Sequence, residues 1–136
     1  MADEAGKTVL LVEDDIFLSQ LLSTRLQRAG ITVAKACDGD EAIKMLETVR
    51  PEIILLDIIL PRRSGFEVME EIQSNPLLQK APIVVISNLG QESDVARGRQ
   101  LGAVGYYVKA KTSIEDLITK IKNFLDSPVA ERRWVE

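Results

Sequence analysis

Short apolar segments alternate along the chain with longer segments in which apolar residues recur every three or four positions. The short segments have the length and composition of β-strands. We predict five strands, at residues 8–12, 31–36, 53–56, 83–86 and 104–108. The third and fourth contain no polar residue, which is typical of strands that are covered on both faces. The pattern therefore predicts a sheet that is buried between two layers of helices.

A predicted helix follows each strand. The first begins at Asp14 or Asp15, either of which can act as an N-cap, and ends at Gly30. Its expected buried face carries Ile16, Leu18, Leu21, Leu22 and Leu26. The second covers residues 40–49, and its expected buried positions are Ala42, Ile43, Leu46 and Val49.

The last three helices are bounded by clear stop signals. The third stops at Asn75-Pro76, and its apolar positions are Phe66, Met69 and Ile72. The fourth, over residues 91–101, is more polar. The fifth stops at Ser127-Pro128, and its apolar positions are Ile114, Leu117, Ile118, Ile121 and Leu125.

Alternation of five strands with five helices predicts one α/β domain over residues 7–126. Right-handed βαβ units place the strands in one parallel sheet, a three-layer, doubly wound (βα)5 arrangement. The flavodoxin-like strand order 2-1-3-4-5 is the common solution at this length. Residues 127–136, which include Trp134, are expected to form a tail or the start of a linker.

Composition and charge exclude several classes of partner and of catalytic site. The 136 residues carry a net charge of −4 and no cluster of basic residues, so we expect no nucleic-acid partner. No apolar run is long enough to span a membrane, and the first residues are too polar for a signal peptide, so we expect no membrane partner and a cytoplasmic location. The absence of histidine excludes from this chain a histidine-based zinc site, catalytic triad or proton relay. The single cysteine, Cys37, excludes an intramolecular disulfide and is expected to be a half-buried residue at a strand end.

Polar residues follow four of the predicted strands. These residues are Glu13, Asp14 and Asp15 after the first strand, Asp57 after the third, Ser87 after the fourth and Lys109 after the fifth. In the predicted topology, all four strand ends open on one edge of the sheet. Acids gathered there repel one another unless a divalent cation binds them, and Mg²⁺ suits carboxylate oxygens together with a phosphate. The pattern predicts phosphoryl transfer to Asp57, with Lys109 as a fixed charge and Ser87 as a hydroxyl donor. For Asp15 alone, a helix cap is an equally good interpretation.

The motifs LLVEDD, LLDIILPRRSG, VVIS and GYYVK resemble, in order and spacing, those of the receiver domain of two-component response regulators, similar to chemotaxis regulators. The resemblance implies that Glu13, Asp14, Asp57 and the backbone carbonyl of Ile59 hold Mg²⁺. It implies that Asp57 accepts a phosphoryl group from a phosphohistidine of a sensor histidine kinase or phosphotransfer protein. Such a domain catalyses only its own phosphorylation and dephosphorylation and is not an enzyme acting on other substrates.

The resemblance also implies a switch in which the Ser87 hydroxyl moves onto the phosphoryl group and the Tyr106 ring follows inward. Its readout is expected on the face of the fourth helix, fifth strand and fifth helix. That face would bind a downstream target protein or an output domain absent from this chain, and many relatives form homodimers through part of it. The family usually has proline after the conserved lysine, whereas this chain has Ala110, so we expect a trans Lys109–Ala110 bond. Ile59 and Asn88 border the expected path of the hydrolytic water, and we predict that they set the lifetime of the phosphoryl group.

Three other functions remain open at this point. One is a receiver-shaped binding module that is not phosphorylated. Another is a Mg²⁺-dependent phosphatase that turns over through an aspartyl phosphate, although Ile59 stands where such enzymes typically carry a second aspartate. A flavodoxin is the third, but acids follow the first strand where a flavin phosphate would need hydroxyls and glycines.

Overall fold

In a computed structural model, which describes residues 7–136, five strands alternate with five helices. The strands are β1 (Thr8–Val12), β2 (Thr32–Ala36), β3 (Ile53–Leu56), β4 (Ile83–Ser87) and β5 (Ala103–Val108). The helices are α1 (Ile16–Arg28), α2 (Gly39–Met45), α3 (Gly65–Ser74), α4 (Glu92–Gln100) and α5 (Ile114–Asp126). Short 3₁₀ turns cover Lys109–Lys111 and Val129–Glu131. Each predicted strand is present, with its ends displaced by at most one residue.

The five strands form one parallel sheet in the order β2-β1-β3-β4-β5. This is the flavodoxin-like order that the alternating pattern predicts. Every residue of β3 and β4 is buried, so these strands are covered on both faces, as their continuous apolar sequence indicates. The side chains of the sheet divide between two apolar clusters, one on each face. The protein therefore has the three-layer, doubly wound architecture.

Helix α1 buries a narrower face than its sequence indicates. Asp15 is its N-cap and accepts hydrogen bonds from the backbone N–H groups of the next turn at 3.0 and 3.2 Å. The expected burial of Ile16 and Leu21 is wrong, since they are 74% and 41% exposed. At 3.6 residues per turn, both point about 100° or more away from the stripe of Leu22 and Leu26 that contacts the sheet.

Helix α2 is shorter than predicted. Asp38 caps its start, and its α-helical hydrogen bonding ends at Met45 and not at residue 49. The backbone carbonyl of Leu46 instead accepts a hydrogen bond from the N–H of Gln79, 3.1 Å away. The chain then tightens into a turn that leaves Val49 half-buried. Beyond Met45 the backbone N–H groups of Glu47 and Thr48 donate to carbonyls only three residues back, so the regular α-helix gives way to a tighter turn.

Two further expectations concern exposed parts of the chain. Cys37 directly follows β2, as predicted, but its side chain is exposed and not half-buried, because the acidic loop it opens lies at the protein surface. Residues 127–136 do not extend away from the domain but pack back against α5 and β5 through Arg132 and Trp134. Whether they begin a linker stays a prediction. Across residues 7–136, no helix is long and apolar enough to cross a membrane.

Candidate functional site

The carboxyl ends of β1 and β3 bring two acids together. Val12 and Leu56 are register partners, so the residues that follow them, Glu13 and Asp57, are neighbours across the sheet. The N–H of Asp57 donates to the carbonyl of Val12 at 3.0 Å, which continues the sheet pairing to the site itself. Only 2% of Glu13 and 3% of Asp57 is exposed. Two carboxylates are thus held at a buried edge, where an uncompensated charge is costly.

Asp14 adds a third carboxylate at this edge. Glu13, Asp14 and Asp57 each offer one oxygen, and these oxygens lie within 4.8 Å of one another. Asp14 is exposed, whereas the other two are buried, so the cluster opens to solvent on one side. Asp15 lies outside the cluster and caps α1. Sequence alone does not decide which of the two adjacent aspartates caps the helix. In the structure Asp14 lies in the carboxylate cluster, and Asp15 is the N-cap of α1.

Lys109 supplies the cation of the site. Its ammonium lies 2.8 Å from Oδ2 of Asp57 and 3.0 Å from Oε1 of Glu13, and it follows β5 directly. Burial lowers the pKa of Lys109, but the hydrogen bonds to Asp57 and Glu13 outweigh that effect and the pKa is raised. Lys109 is therefore a permanent positive charge against the buried carboxylates. The described residues contain no cis peptide bond, so the Lys109–Ala110 bond is trans, as expected.

The negative charge of the Glu13 carboxylate is only partly offset by its neighbours. Burial, together with the charge of Asp57, raises its pKa to about 7 despite the hydrogen bonds from the Asp15 N–H and from Lys109. Its Oε2 accepts the Asp15 N–H at 3.0 Å. Its Oε1 is buried and accepts no well-directed hydrogen bond within the described part of the chain, although the ammonium is close. A buried carboxylate oxygen without a hydrogen bond, facing two further acids, has the donor chemistry that a hard divalent cation needs.

The loop after Asp57 is shaped by close backbone contacts. The Ile59 N–H donates to Oδ1 of Asp57 at 3.2 Å, so the carboxylate is oriented by its own loop. The N–H of Gly65 donates to the carbonyl of Ile58 at 2.8 Å, and a Cβ at position 65 would collide with the carbonyl oxygen of Asp57. Ser64 and Glu67 then form a capping box that starts α3. The first turn of α3 thus buttresses the loop that carries Asp57.

Ser87 and Tyr106 are joined through the main chain of Leu89. Ser87 is fully buried, and its hydroxyl accepts the N–H of Leu89 at 3.3 Å. The hydroxyl of Tyr106 donates to the carbonyl of Leu89 at 2.5 Å, and the ring is buried against Gly98 of α4. Burial, with smaller contributions from the charges of Asp94 and Asp57, raises the pKa of Tyr106 to about 12. Tyr106 is therefore held inward as a neutral hydrogen-bond donor.

The structure thus places Glu13, Asp14, Asp57 and Lys109 in one cluster and links Ser87 to Tyr106 through Leu89. The side chain of Ile59 is 55% exposed beside this cluster, and Asn88 is exposed next to Ser87. Sequence reasoning missed Leu89, because it contributes only backbone atoms. It also missed Gly98, although a glycine inside a helical pattern is a signal of close approach by another group.

The chain is similar to a well-populated family. The model of the response regulator receiver domain matches residues 9–122. The chain is 37% identical over 104 residues to the alkaline phosphatase synthesis transcriptional regulatory protein PhoP of Bacillus subtilis, covering 76% of this chain and 42% of that protein. It is also 37% identical to the transcriptional regulatory protein PdtaR of Mycobacterium tuberculosis, covering 85% of this chain and 55% of the relative. The chain spans about half the length of the curated relatives it matches.

Solved structures show the same architecture. A CheY-like response regulator receiver domain protein from Methanospirillum hungatei aligns with a TM-score of 0.78 at 26% identity, covering 88% of this chain and 94% of the other. The chemotaxis protein CheY4 of Vibrio cholerae aligns with a TM-score of 0.76 at 29% identity, covering 86% and 97%. The likeness extends over nearly the whole of both solved chains.

Proposed function

Since the chain belongs to the response regulator receiver domain family, we propose that it is a phosphoacceptor switch in which Asp57 takes a phosphoryl group from a phosphohistidine of a sensor histidine kinase or phosphotransfer protein. One observation carries the proposal: Asp57 is buried, oriented by the Ile59 N–H and paired with Lys109 at 2.8 Å. A carboxylate buried at this cost, in contact with a fixed cation and open to solvent through Asp14, is suited to act as a nucleophile.

The transfer exchanges one bond for another. A carboxylate oxygen of Asp57 attacks phosphorus, a P–O bond forms, and the P–N bond to the donor imidazole breaks with its electron pair returning to nitrogen. Lys109 offsets negative charge on the carboxylate and on the incoming phosphoryl oxygens, and Ser87 can donate its hydroxyl to one of them. This chain contains no histidine, so the donor imidazole comes from outside its 136 residues.

The residues present fit a magnesium ion. The unbonded Oε1 of Glu13 and the three clustered carboxylates are the supporting observations. Glu13, Asp14 and Asp57, together with the backbone carbonyl of Ile59, would hold the ion. When bound, Mg²⁺ would neutralise the charge that builds up between the carboxylates and the phosphoryl oxygens.

The proposed conformational change would pass from Ser87 at the site to the readout face formed by α4, β5 and α5. The Ser87 hydroxyl now accepts the Leu89 N–H, and it would turn toward a phosphoryl oxygen on Asp57. Tyr106 donates to the carbonyl of that same Leu89, so a shift of this loop alters the hydrogen bond that holds the ring inward. The readout face would bind a downstream target or an output domain outside this chain.

The matched relatives are transcriptional regulators and not classical enzymes. For this chain we propose no catalysis beyond its own phosphorylation and dephosphorylation. The exposed, apolar Ile59 cannot transfer a proton, which weighs against a phosphatase that turns over on external phosphoesters. The proposed location is the cytoplasm.

The test is the intact mass of the protein after incubation with acetyl phosphate, with and without Mg²⁺. We expect the gain of one phosphoryl group in the presence of Mg²⁺, and no gain for Asp57→Asn. Asp126→Asn, at the far end of α5, is the matched control and should gain mass like the wild type. An unmodified wild type under all conditions would refute the proposal and leave a receiver-shaped binding module.

A further inference from the structure

The loop between Asp57 and helix α3 contains a strained turn. The backbone N–H of Arg63 donates to the carbonyl of Pro61 at 2.8 Å, and the residue between them, Arg62, has a φ of 69°. A hydrogen bond across two residues with a positive φ at its centre defines the rare and strained form of the γ-turn. Among the described residues, Arg62 is the only residue other than glycine with a positive φ. Such a conformation persists only where neighbouring groups hold it in place.

Gly39, the first residue of α2, lies against this turn. Its N–H donates to the Pro61 carbonyl at 3.3 Å, so this carbonyl accepts hydrogen bonds both from its own loop and from α2. A Cβ at position 39 would come within 2.4 Å of both the Cβ and the carbonyl oxygen of Arg63. The φ of Gly39 is not positive, so glycine is needed here for space and not for backbone conformation. The missing side chain lets the turn and the start of α2 meet.

Two ion pairs join the same two segments. The guanidinium of Arg63 lies 2.8 Å from Asp40 and 3.6 Å from Glu71, so it bridges α2 and α3. The guanidinium of Arg62 lies 3.7 Å from Asp38, which directly precedes α2. Each pair is partly exposed, and a single exposed pair contributes little to stability. Together with the backbone hydrogen bond, however, they connect three consecutive residues of the turn to the start of α2.

The turn is part of the loop that orients Asp57. The Ile59 N–H donates to Oδ1 of Asp57 at 3.2 Å, and only Leu60 separates Ile59 from Pro61. The Ile59 hydrogen bond closes the loop on itself, whereas the Gly39–Pro61 hydrogen bond ties the loop to a different element. A displacement of Pro61 is therefore passed to the donor that fixes the carboxylate.

We propose that Gly39 and Asp40 are positioning residues for the phosphoacceptor: they hold the turn at residues 61–63 and so keep the Ile59 N–H on Asp57. This inference rests on the proposed function. Neither residue touches the reacting atoms, and both act through the loop. When the turn moves away, the Asp57 carboxylate loses the donor that fixes Oδ1, so fewer molecules hold the nucleophile in a geometry for attack.

The state of the loop is measured through the Ile59 amide, because that N–H makes the hydrogen bond to Asp57. NMR gives its hydrogen-exchange protection in the unmodified full chain. The amide of Val85, within β4 in the interior of the sheet, reports unfolding of the whole domain in the same spectra. The initial rate of phosphorylation by acetyl phosphate with Mg²⁺, followed by intact mass, is recorded on the same preparations.

Two variants disturb the contacts between the turn and α2. Gly39→Ala places a Cβ against Arg63 and displaces the turn in every molecule. Asp40→Asn removes the charge that pairs with Arg63 without adding bulk, so it keeps the test decisive if Gly39→Ala does not fold. Asp40→Glu restores the charge and should rescue the loop. Glu47→Gln removes an equal charge from the exposed turn after α2 and is the matched control.

Gly39→Ala should lower the protection of the Ile59 amide about tenfold and slow phosphorylation about threefold, because overpacking displaces the loop permanently. Asp40→Asn should lower this protection about threefold with a smaller effect on the rate, because it only makes opening of the loop more frequent. The protection of Val85 in Asp40→Asn should match the wild type. Asp40→Glu and Glu47→Gln should match it in both protection and rate.

Three results would overturn the inference while the wild type still gains one phosphoryl group. Unchanged Ile59 protection in both variants would show that α2 does not hold the turn. An equal loss of protection at Ile59 and Val85 in Asp40→Asn would assign the acid to general stability. A wild-type phosphorylation rate in Gly39→Ala, with the loop displaced, would show that the loop position does not matter. No mass gain for the wild type would instead refute the proposed function, and the positioning role with it.

Discussion

Nζ of Lys109 lies 2.8 Å from Oδ2 of Asp57, although 52 residues separate them in the sequence. Lys109 directly follows β5 and Asp57 directly follows β3, with β4 between them in the sheet. The lysine therefore reaches across one intervening strand to the carboxylate. This ion pair joins the carboxylates that follow β1 and β3 to the lysine that follows β5.

Replacement of Lys109 should weaken both the fold and the chemistry. Lys109→Ala leaves two buried carboxylates facing each other, and loss of a fully buried partner costs about 3–5 kcal/mol. Since 17% of the lysine side chain is exposed, we expect a smaller fall of roughly 2 kcal/mol in the free energy of unfolding at pH 8. Mass spectrometry should show slower phosphorylation by acetyl phosphate. Lys111→Ala, two residues along on the surface, should change neither quantity, and equal behaviour of the two variants would contradict the prediction.

The lifetime of the phosphoryl group should depend on Ile59. Its apolar side chain is 55% exposed beside the cluster and cannot orient a water molecule. We expect Ile59→Asn to accelerate loss of the phosphoryl group several-fold, because an amide can hydrogen-bond the attacking water. The decay of the phosphorylated mass after removal of donor gives the rate. Leu77→Asn, an equally polar change at an exposed residue of the α3–β4 connection, should leave the rate unchanged, and an unaltered rate for Ile59→Asn would rule out this role.

Gly65 should tolerate no side chain. A Cβ there meets the carbonyl oxygen of Asp57 and the backbone of Ile58, and neither can move without shifting the site. Gly65→Ala should therefore cost about 1–3 kcal/mol of stability by overpacking and should slow phosphorylation. Ser64→Ala is the comparison: it removes a helix cap, costs about 1 kcal/mol and adds no atom near Asp57, so its phosphorylation rate should equal that of the wild type. Denaturant unfolding and the mass assay separate the two effects.

Alkaline pH should destabilise the fold through Tyr106. Its pKa is raised to about 12 in the folded state, above the value of about 10 in an unfolded chain. The folded state therefore holds the phenolic proton more tightly, and this contribution, complete below about pH 10, is lost as the pH rises through 12. Between pH 9 and 11 the wild type should lose about 1 kcal/mol more than Tyr106→Phe in urea unfolding. Parallel curves for the two proteins would show that folding does not raise the pKa of this phenol.

Much of the fold follows from local patterns. Continuous apolar runs at β3 and β4 are typical of strands with two covered faces, and right-handed crossovers then place the strands in one parallel sheet, for which the flavodoxin-like order is the common solution. The errors arise where an apolar residue is a poor guide to burial. Ile16 and Leu21 are apolar yet exposed, and the apolar Val49 lies in a turn beyond the end of helix α2.

The clustering of the site also follows from topology, since Glu13, Asp57 and Lys109 end strands that open on one edge. Their chemical roles stay predictions. The part that sequence could not reveal is made of backbone atoms and long-range packing. Leu89 acts through its N–H and carbonyl, and Trp134 finds a niche created by a glycine 29 residues earlier in the chain. Neither contact leaves a local pattern of apolar and polar residues.

The pairing of Lys109 with the acids also bears on biosynthesis. A ribosome releases a chain at about 5–20 residues per second, so Glu13 and Asp57 leave the exit tunnel seconds before Lys109, which follows Glu13 by 96 residues. Until β5 joins the sheet, the nascent acids lack the cation that offsets their charge. Under the proposed function, an unfinished polypeptide therefore offers no charge-compensated carboxylate to a phosphoryl donor, and only the completed domain can be phosphorylated.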